Sequence, residues 1–335
     1  MQGNRKKPRP DDPASVWKEK ELVGGKLVDA GVVILQTRGC SHYRRGGCSM
    51  CGYNSGPGPE VSADNLVRQF RKAADGLGDV GFLKVYTSGS FLDECEVPKE
   101  AAAAVLDHCR DKGARLLFET RPEYVAAPRL DEILSAHSNL EVALGLESAN
   151  DRVLRCSINK GFTVRDYDEA SALLRSKKVD IRTYVLLKPP FLTEAEAVRD
   201  AVATMRHASK VSTTLSLNPV NVQNGTLVER LWRNWSYRPP WLWSVLEVLR
   251  TTKDVGVKVV CDPTGGGKER GAHNCGRCDG VILDSVRNFS QSQDYSKLGS
   301  PECACKELWA SVMDLEGFVT GGTADLQRFF RGQRA

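Results

Sequence analysis

Between residues 31 and 218 the chain alternates short β-rich runs with stretches of helical periodicity, and this alternation restricts the fold more than any other feature. Strands are expected at 31–37, 82–87, 115–120, 140–146, 180–187 and 213–217, several of them near-continuous apolar runs suited to strands covered on both faces. Such units pair in parallel, because each intervening helix carries the chain back along the sheet. Helix ends are legible. Ser62 opens one helix, Gly113 closes the one that begins at Pro98, and Thr193 with Glu196 makes a capping box for another. Six βα units fall two short of a closed eight-stranded barrel, so the expected class is α/β, a partial (β/α)6 TIM-like barrel with a wide lateral opening. A doubly wound sheet has the same periodicity and stands as the alternative.

After Pro219 the pattern changes to Trp-rich helices at 226–233 and 239–253, then a strand at 255–261 and a Gly-rich loop. These are read as closing the barrel's open side. The expected division is a basic N-terminal extension at 1–30, the core at 31–255 and a small Cys-rich, metal-bearing extension at 256–335. With 41% hydrophobic and 27% charged residues the chain has apolar side chains enough for a core and no case for global disorder. The longest apolar run, near 32–35, is far too short to cross a bilayer, and the polar, basic segment Met1 to Asp12 lacks the apolar stretch of a secretory signal. No membrane association and a cytoplasmic location are therefore expected. A net charge of +5 is too mild to mark a nucleic-acid binder unless it is clustered. Arg5, Lys6, Lys7 and Arg9, Arg328, Arg331 and Arg334, and Arg44 with Arg45 are such clusters, read either as solvated faces or as phosphate contacts.

The 11 cysteines sort by spacing. Cys95, Cys109, Cys156 and Cys261 are scattered, and Cys109 sits in an amphipathic stretch where burial as a small hydrophobe is expected. Cys40, Cys48 and Cys51 follow the first expected strand as Cys-x7-Cys-x2-Cys within TRGCSHYRRGGCSMCGYN. Thiolates are soft ligands for zinc and iron–sulfur clusters, and a loop after a strand can wrap a metal group. Three is the informative number. Structural zinc normally takes four protein ligands, whereas a four-iron cluster held by three thiolates keeps one iron open. Gly46 and Gly47 permit close backbone approach, and Tyr53 is placed to shield a cluster face. In a barrel-like α/β fold this loop lies at the end that carries the chemistry. Cys275, Cys278, Cys303 and Cys305 match a closed tetrahedral zinc site, with a second iron–sulfur cluster as the alternative and His273 as a substitute ligand. The segment 265–268, GGGK, is no nucleotide loop, since Glu269 stands where a Ser or Thr is needed.

These residues, with YTSGSFLD at 86–93, FETRPEYV at 118–125, LGLESANDRVL at 144–154, SINKGFT at 157–163, LLKPPFLTEAEA at 186–197, LNPVNVQNGTLVE at 217–229, YRPPWLWSVLEVL at 237–249 and GAHNCGRCDG at 271–280, resemble the radical S-adenosylmethionine (SAM) enzymes. Within that superfamily the likeness is to the Elongator catalytic subunit branch and, more narrowly, to the radical SAM component of archaeosine synthases. The commonest spacing there, Cys-x3-Cys-x2-Cys, has a shorter first gap.

The resemblance implies a 4Fe–4S cluster on Cys40, Cys48 and Cys51 whose open iron is chelated by the amino and carboxylate groups of SAM. An electron from a low-potential donor then splits the S–C5′ bond and yields a 5′-deoxyadenosyl radical. It also implies roles for the strand ends. Ser88, Gly89 and Ser90 would meet the methionyl amino group, a structural turn being the alternative, and the acidic residue sometimes found in that turn is missing. Glu119 with Arg121, and Glu147 with Ser148, would bond the ribose hydroxyls and the methionyl ammonium, or form structural pairs under the rim. Lys160 would face the methionyl carboxylate and Lys188 cofactor or substrate, solvation being equally open for both. Asn218, Asn221, Gln223 and Asn224 offer paired donors and acceptors for a nucleobase edge, or turns around Pro219. Lys268 and Arg270 would touch tRNA phosphate or lie in a plain linker. Trp232, Trp235, Trp241 and Trp243 are expected as core or domain interface, with stacking on a base as the alternative.

The implied reaction acts on a lysine-conjugated 7-deazaguanine base in the D-loop of tRNA, installed by a lysine-transferring partner subunit. Hydrogen is removed from the lysine carbon bonded to the amidine nitrogen, and cleavage of that C–N bond leaves archaeosine. Two alternatives remain: a tRNA-modifying enzyme of Elongator or methylthiotransferase type, and a non-enzymatic, zinc-stabilised RNA-binding module.

Overall fold

The computed structural model describes residues 9–53 and 60–320. Arg5, Lys6, Lys7, Arg328, Arg331 and Arg334 lie outside the described residues. One eight-stranded sheet runs in sequence order through β1 (Ser15–Val23), β2 (Lys26–Ile34), β3 (Phe82–Tyr86), β4 (Arg115–Thr120), β5 (Leu140–Glu147), β6 (Asp180–Leu187), β7 (Thr214–Pro219) and β8 (Lys258–Cys261). β1 pairs antiparallel with β2, and every later neighbour is parallel. The helices are α1 (Ala63–Leu77), α2 (Lys99–Lys112), α3 (Ala127–Ala136), α4 (Val164–Ser176), α5 (Glu194–Ala208), α6 (Leu227–Arg233), α7 (Leu242–Thr251), α8 (Asp279–Ser292) and α9 (Cys305–Thr320).

All six expected strands form, and the sheet curls into an open half-barrel. Two further strands flank them. β1 is strongly charged, KEKE at its centre, and reads as tail until Gly24 and Gly25, both left-handed with φ of 55° and 77°, turn it back onto β2. The strand expected inside the C-terminal extension is β8, which continues the same sheet beside β7. Caps hold as read: Ser62 and Thr193 close full capping boxes, and Gly113 takes the left-handed conformation after α2.

Alternation along the strands gives the sheet two faces. Val33, Leu83, Val85, Phe118, Val142, Leu144 and Leu217 pack outward under the helices, while Ala30, Phe82, Leu117 and Ala143 form a separate apolar layer inside the curl. Beside this inner layer lies a buried ion network. Arg182 Nε donates to Glu141 Oε1 at 2.9 Å, Arg182 Nη2 to Glu21 Oε1 at 3.2 Å, and Lys258 Nζ to Glu21 Oε1 at 2.8 Å; Lys84 pairs with the same Glu21. Burial alone would raise the Glu141 carboxyl, but Arg182, Lys258 and Arg115 outweigh it and hold the group at about 2. Strands β1 and β8 thus meet through side chains across the curl rather than by backbone pairing.

Cys109 is fully buried in α2, where burial pushes its thiol up to about 12, as expected of a packing residue. Trp241 and Trp243 are buried and Trp232 is half-buried beneath Arg270. Trp235 departs from the core expectation: it is 96% exposed in the turn after α6.

Candidate active site

The cysteine loop leaves β2 and folds back on itself. A single 3-10 turn, Tyr43–Arg45, is followed by left-handed Gly46 and Gly47, with φ of 113° and 65°, and any Cβ on Gly47 would lie 2.8 Å from the Tyr43 ring. This reversal brings Cys48 and Cys51 within electrostatic range of Cys40 and of each other. Burial pushes the Cys48 and Cys51 thiols up, the latter to about 11, so a metal group taking them as thiolates must displace protons.

Three neighbours clamp the loop. Ser49 N–H donates to Ile158 O at 2.8 Å, Asn159 Nδ2 donates to Gly47 O at 2.7 Å, and the His42 ring bonds Asn159 O at 2.7 Å. Asn159 holds a left-handed conformation after a π-helical segment, Val153–Ile158, and Gly161 leaves room for the His42 ring, which a Cβ there would meet at 2.4 Å. From the other side, Gly52 N–H donates to Gln223 Oε1 at 2.6 Å and Val228 N–H, in the first turn of α6, donates to Ser49 O at 3.3 Å.

The turn after β3 is organised by a residue the sequence reading missed. Glu96 accepts from Ser88 N–H at 3.0 Å, Ser90 N–H at 2.6 Å and Thr37 Oγ1 at 2.8 Å. The turn itself has no acid, yet a buried carboxylate from eight residues on fills its interior. Gly89 lies directly against Cys40: a Cβ there would fall 2.7 Å from Cys40 Cα. Asp93, on the same stretch, accepts from Ser41 Oγ in the cysteine loop. No residue spacing marks Glu96 in advance, because its partners are backbone groups whose position depends on the turn.

Further round the barrel mouth the predicted side chains converge. Lys160 Nζ donates to Glu147 Oε1 at 2.8 Å, Arg121 Nη2 to Lys160 O at 2.8 Å and Arg121 Nε to Glu123 Oε1 at 2.6 Å. Arg121 and Lys160 both lie over the Phe162 ring, at 5.2 and 5.6 Å from its centre. Glu147 and Lys188 end β5 and β6 in left-handed conformations, φ 68° and 63°, a cost that non-glycine residues bear chiefly at functional sites. Burial pushes the Glu119 carboxyl up to about 8 against the opposing Thr87 N–H bond, with Glu96 and Glu147 adding to the rise. Ser148 is fully buried and donates to Asp200 Oδ1 at 2.8 Å.

Neither lysine is solvated. Lys188 is buried against Glu194 Oε2 at 2.6 Å, and its carbonyl accepts from Tyr237 Oη at 2.7 Å. The amide cluster is divided. Gln223 spends its oxygen on Gly52, and Asn224 Oδ1 accepts from Arg270 Nη2 at 2.9 Å; Asn218 Oδ1 accepts from Ser216 Oγ at 3.1 Å, and Asn221 lies against the Gly265 backbone. Arg270 is also bonded to Val222 O and Glu229. Tyr53 is 70% exposed.

Residues 34–202, which hold the cysteine loop, the β3 turn, the Glu147–Lys160 pair and Lys188, match the family model of the radical SAM superfamily. The chain belongs to the radical SAM superfamily. Archaeosine synthase subunit beta of Methanosarcina acetivorans is 40% identical to it over 326 residues, which cover 94% of each chain. The protein of the same name from Thermococcus kodakarensis is 36% identical over 312 residues, 89% of this chain and 96% of that one. Among solved structures, a radical SAM methyltransferase from Sphaerobacter thermophilus aligns with a TM-score of 0.51 at 13% identity, covering 82% of this chain and 80% of the other, a likeness of fold alone.

The radical SAM family implies a 4Fe–4S cluster and SAM, and the residues here fit them. Three convergent soft donors lie on one loop at the barrel mouth. Ser49 Oγ, between two of the cysteines, is buried without a hydrogen-bond partner among the described residues, a hydroxyl available to a sulfur acceptor. The second cysteine group of this radical SAM chain lies apart from the first. Cys275, Cys278, Cys303 and Cys305 place their ligand atoms within 4.8 Å of one another, close enough to hold a metal ion. His273 is not among them; its Nδ1 bonds Gly271 O at 2.8 Å. Among the described residues no helix is long and apolar enough to cross a membrane.

Proposed function

We propose that this radical SAM enzyme modifies tRNA, converting a lysine-conjugated 7-deazaguanine base to archaeosine by a lyase-type radical C–N bond cleavage. The observation that carries the chemistry is the convergence of three cysteines of one loop beside the buried Glu147–Lys160 pair. The substrate rests on similarity that spans 94% of the chain to an archaeal archaeosine synthase subunit beta.

When bound, the cluster and SAM supply a 5′-deoxyadenosyl radical able to take a hydrogen atom from the substrate. Cys40, Cys48 and Cys51 would hold the cluster. Lys160 and Arg121 concentrate positive charge where a carboxylate would sit, and Glu147 keeps the Lys160 ammonium aimed by a fixed hydrogen bond. Glu96 holds the Ser88–Gly89–Ser90 turn open for the methionyl end, while Glu119 lines the path to the ribose; Ser148, fully buried against Asp200, takes no part in it. Lys188, its ammonium buried against Glu194, supports the end of β6, and Asn218 and Asn221 are the amides left to meet a base edge. The other partners of this reading are a lysine-transferring subunit, which the name "subunit beta" of the relatives supports, and a low-potential electron donor in the cytoplasm.

The test is anaerobic incubation with SAM, a reductant and tRNA bearing the lysine-conjugated base, followed by mass analysis of nucleosides. Archaeosine is the expected product. Intact conjugate alongside cleaved cofactor would redirect the substrate towards the Elongator or methylthiotransferase type. Purified protein holding zinc and no iron on Cys40, Cys48 and Cys51 would leave only an RNA-binding module.

A further inference from the structure

The second cysteine group is built for one ion. Its Sγ atoms stand 3.5 Å apart for Cys275 and Cys303, 3.6 Å for Cys278 and Cys305, and 3.4 Å for Cys303 and Cys305. Four thiolates about 2.3 Å from a central zinc have tetrahedral edges of about 3.8 Å, whereas a disulfide needs about 2.05 Å. A four-iron cluster puts each thiolate on a different iron and spreads them further. The surroundings suit thiolates, since Trp243 Nε1 donates to Cys305 Sγ and Asn274 Nδ2 to Cys278 Sγ, each at 3.3 Å.

The ligands also occupy informative places. Cys278 caps α8 and Cys305 is the first residue of α9. Between residues 305 and 316 not one side chain of α9 is fully buried, and Leu308 and Leu315 are exposed. Among its described side chains only Cys305, Trp309, Val312 and Met313 pack, half-buried, against the core, so burial holds this helix in place only in part. Yet it lies along α5, and its side chains reach a buried cluster: Trp309 Nε1 donates to Ser244 Oγ at 2.8 Å, Ser244 Oγ donates to Glu194 Oε1 at 2.5 Å, and Glu316 Oε2 accepts from Glu194 N–H at 2.6 Å. Glu194 is the partner of Lys188, and Glu316 Oε1 stands 4.0 Å from the same ammonium.

We propose that Cys275, Cys278, Cys303 and Cys305 bind a single zinc ion, and that this ion, by fixing the start of α9, places Glu316 against Glu194 and so positions Lys188 at the end of β6. The ion is a clamp between the C-terminal segment and the barrel mouth. Glu316 is a positioning residue that acts through Glu194.

Metal analysis of the chain carrying Cys40→Ala, Cys48→Ala and Cys51→Ala isolates this group from the first. One zinc per chain and no iron is expected; iron, or no stoichiometric metal, overturns the proposal. Neither outcome depends on which substrate the enzyme takes. Hydrogen exchange then tests the clamp. Stripping zinc from the folded protein is expected to speed exchange across 306–316 and at the Glu194 amide by about tenfold or more, with α1 unchanged and zinc restoring protection. The double variant Cys275→Ser and Cys278→Ser, whose substitutions lie outside α9, should behave alike, while Cys275→His should keep both metal and protection. Glu316→Ala should retain zinc but lose protection at the Glu194 amide, and Glu316→Gln, which keeps an acceptor, should restore it. Protection of α9 and of Glu194 that is indifferent to zinc would refute the clamp.

Discussion

Lys160 Nζ lies 2.8 Å from Glu147 Oε1, with both side chains about nine-tenths buried at 9% and 11% exposure. The pair joins the left-handed end of β5 to the segment whose Ile158 and Asn159 hold the cysteine loop. Coupling between them is therefore coupling between sheet and loop.

Removing one partner of such a pair strands a buried charge. Lys160→Met is expected to destabilise the fold by about 3 kcal/mol, and Glu147→Gln by less, since the amide oxygen still accepts. The double variant should lose less than the sum of the two, with a coupling of about 1–3 kcal/mol in denaturant titrations. Strict additivity would show that the two groups do not interact.

Glu96→Gln looks conservative and should not be. Both oxygens of Glu96 accept, from Ser88 N–H and Thr37 Oγ1 on one side and from Ser90 N–H on the other. An amide must turn an NH2 towards one of these donors, at a cost of about 1–3 kcal/mol. The expected readout is a lower denaturation midpoint together with weaker SAM binding by equilibrium dialysis. A variant with unchanged midpoint would show that the turn stands without its acceptor.

Gly89→Ala tests the contact between the β3 turn and the cysteine loop. The added methyl would lie 2.5 Å from Glu96 Oε2 and 2.7 Å from Cys40 Cα, and backbone cannot yield as a flexible side chain can. Anaerobic reconstitution is expected to load several-fold less iron than the parent chain, while helix content by circular dichroism is retained. Full iron loading would place the loop farther from β3.

Asp200 gives stability a pH dependence of definite sign. Burial raises its carboxyl from 3.8 to about 6 against the Ser148 hydrogen bond, and its Oδ2 has no partner among the described residues. The folded chain binds this proton more tightly than the unfolded one. Its contribution is complete below 3.8 and is lost as pH rises through about 6, on the order of 3 kcal/mol in total. Asp200→Asn should remove that decline and raise the melting temperature at pH 8, and an unaltered slope between pH 4 and 7 would refute the assignment. Glu141 acts in the opposite sense: its contribution is present above 4.5 and is lost as pH falls towards about 2.

Much of the fold could be read locally. Short β-rich apolar runs mark the six central strands and helical periodicity the segments between them, and the caps at Ser62, Gly113 and Thr193 stand where short-range hydrogen bonding demands them. Cys-x7-Cys-x2-Cys carries its meaning in its count and spacing, and the four later cysteines do likewise. β1 escaped because its charges belong to partners far along the chain: Glu21 meets Arg182, 161 residues away, and Lys258, 237 away.

Local order of strands, helix ends and the grouping of thiols were determined by the sequence alone, since each depends on residues within a few positions of one another. Only the tertiary structure decided that Glu96 fills an acid-free turn, that Asn159 grips Gly47, that Lys188 is buried rather than solvated, and that Glu316 closes on Glu194. The physical reason is range. A hydrogen bond or ion pair is worth forming only where the curl of the sheet has already excluded water and brought both partners within about 3 Å, and no window of sequence contains that distance.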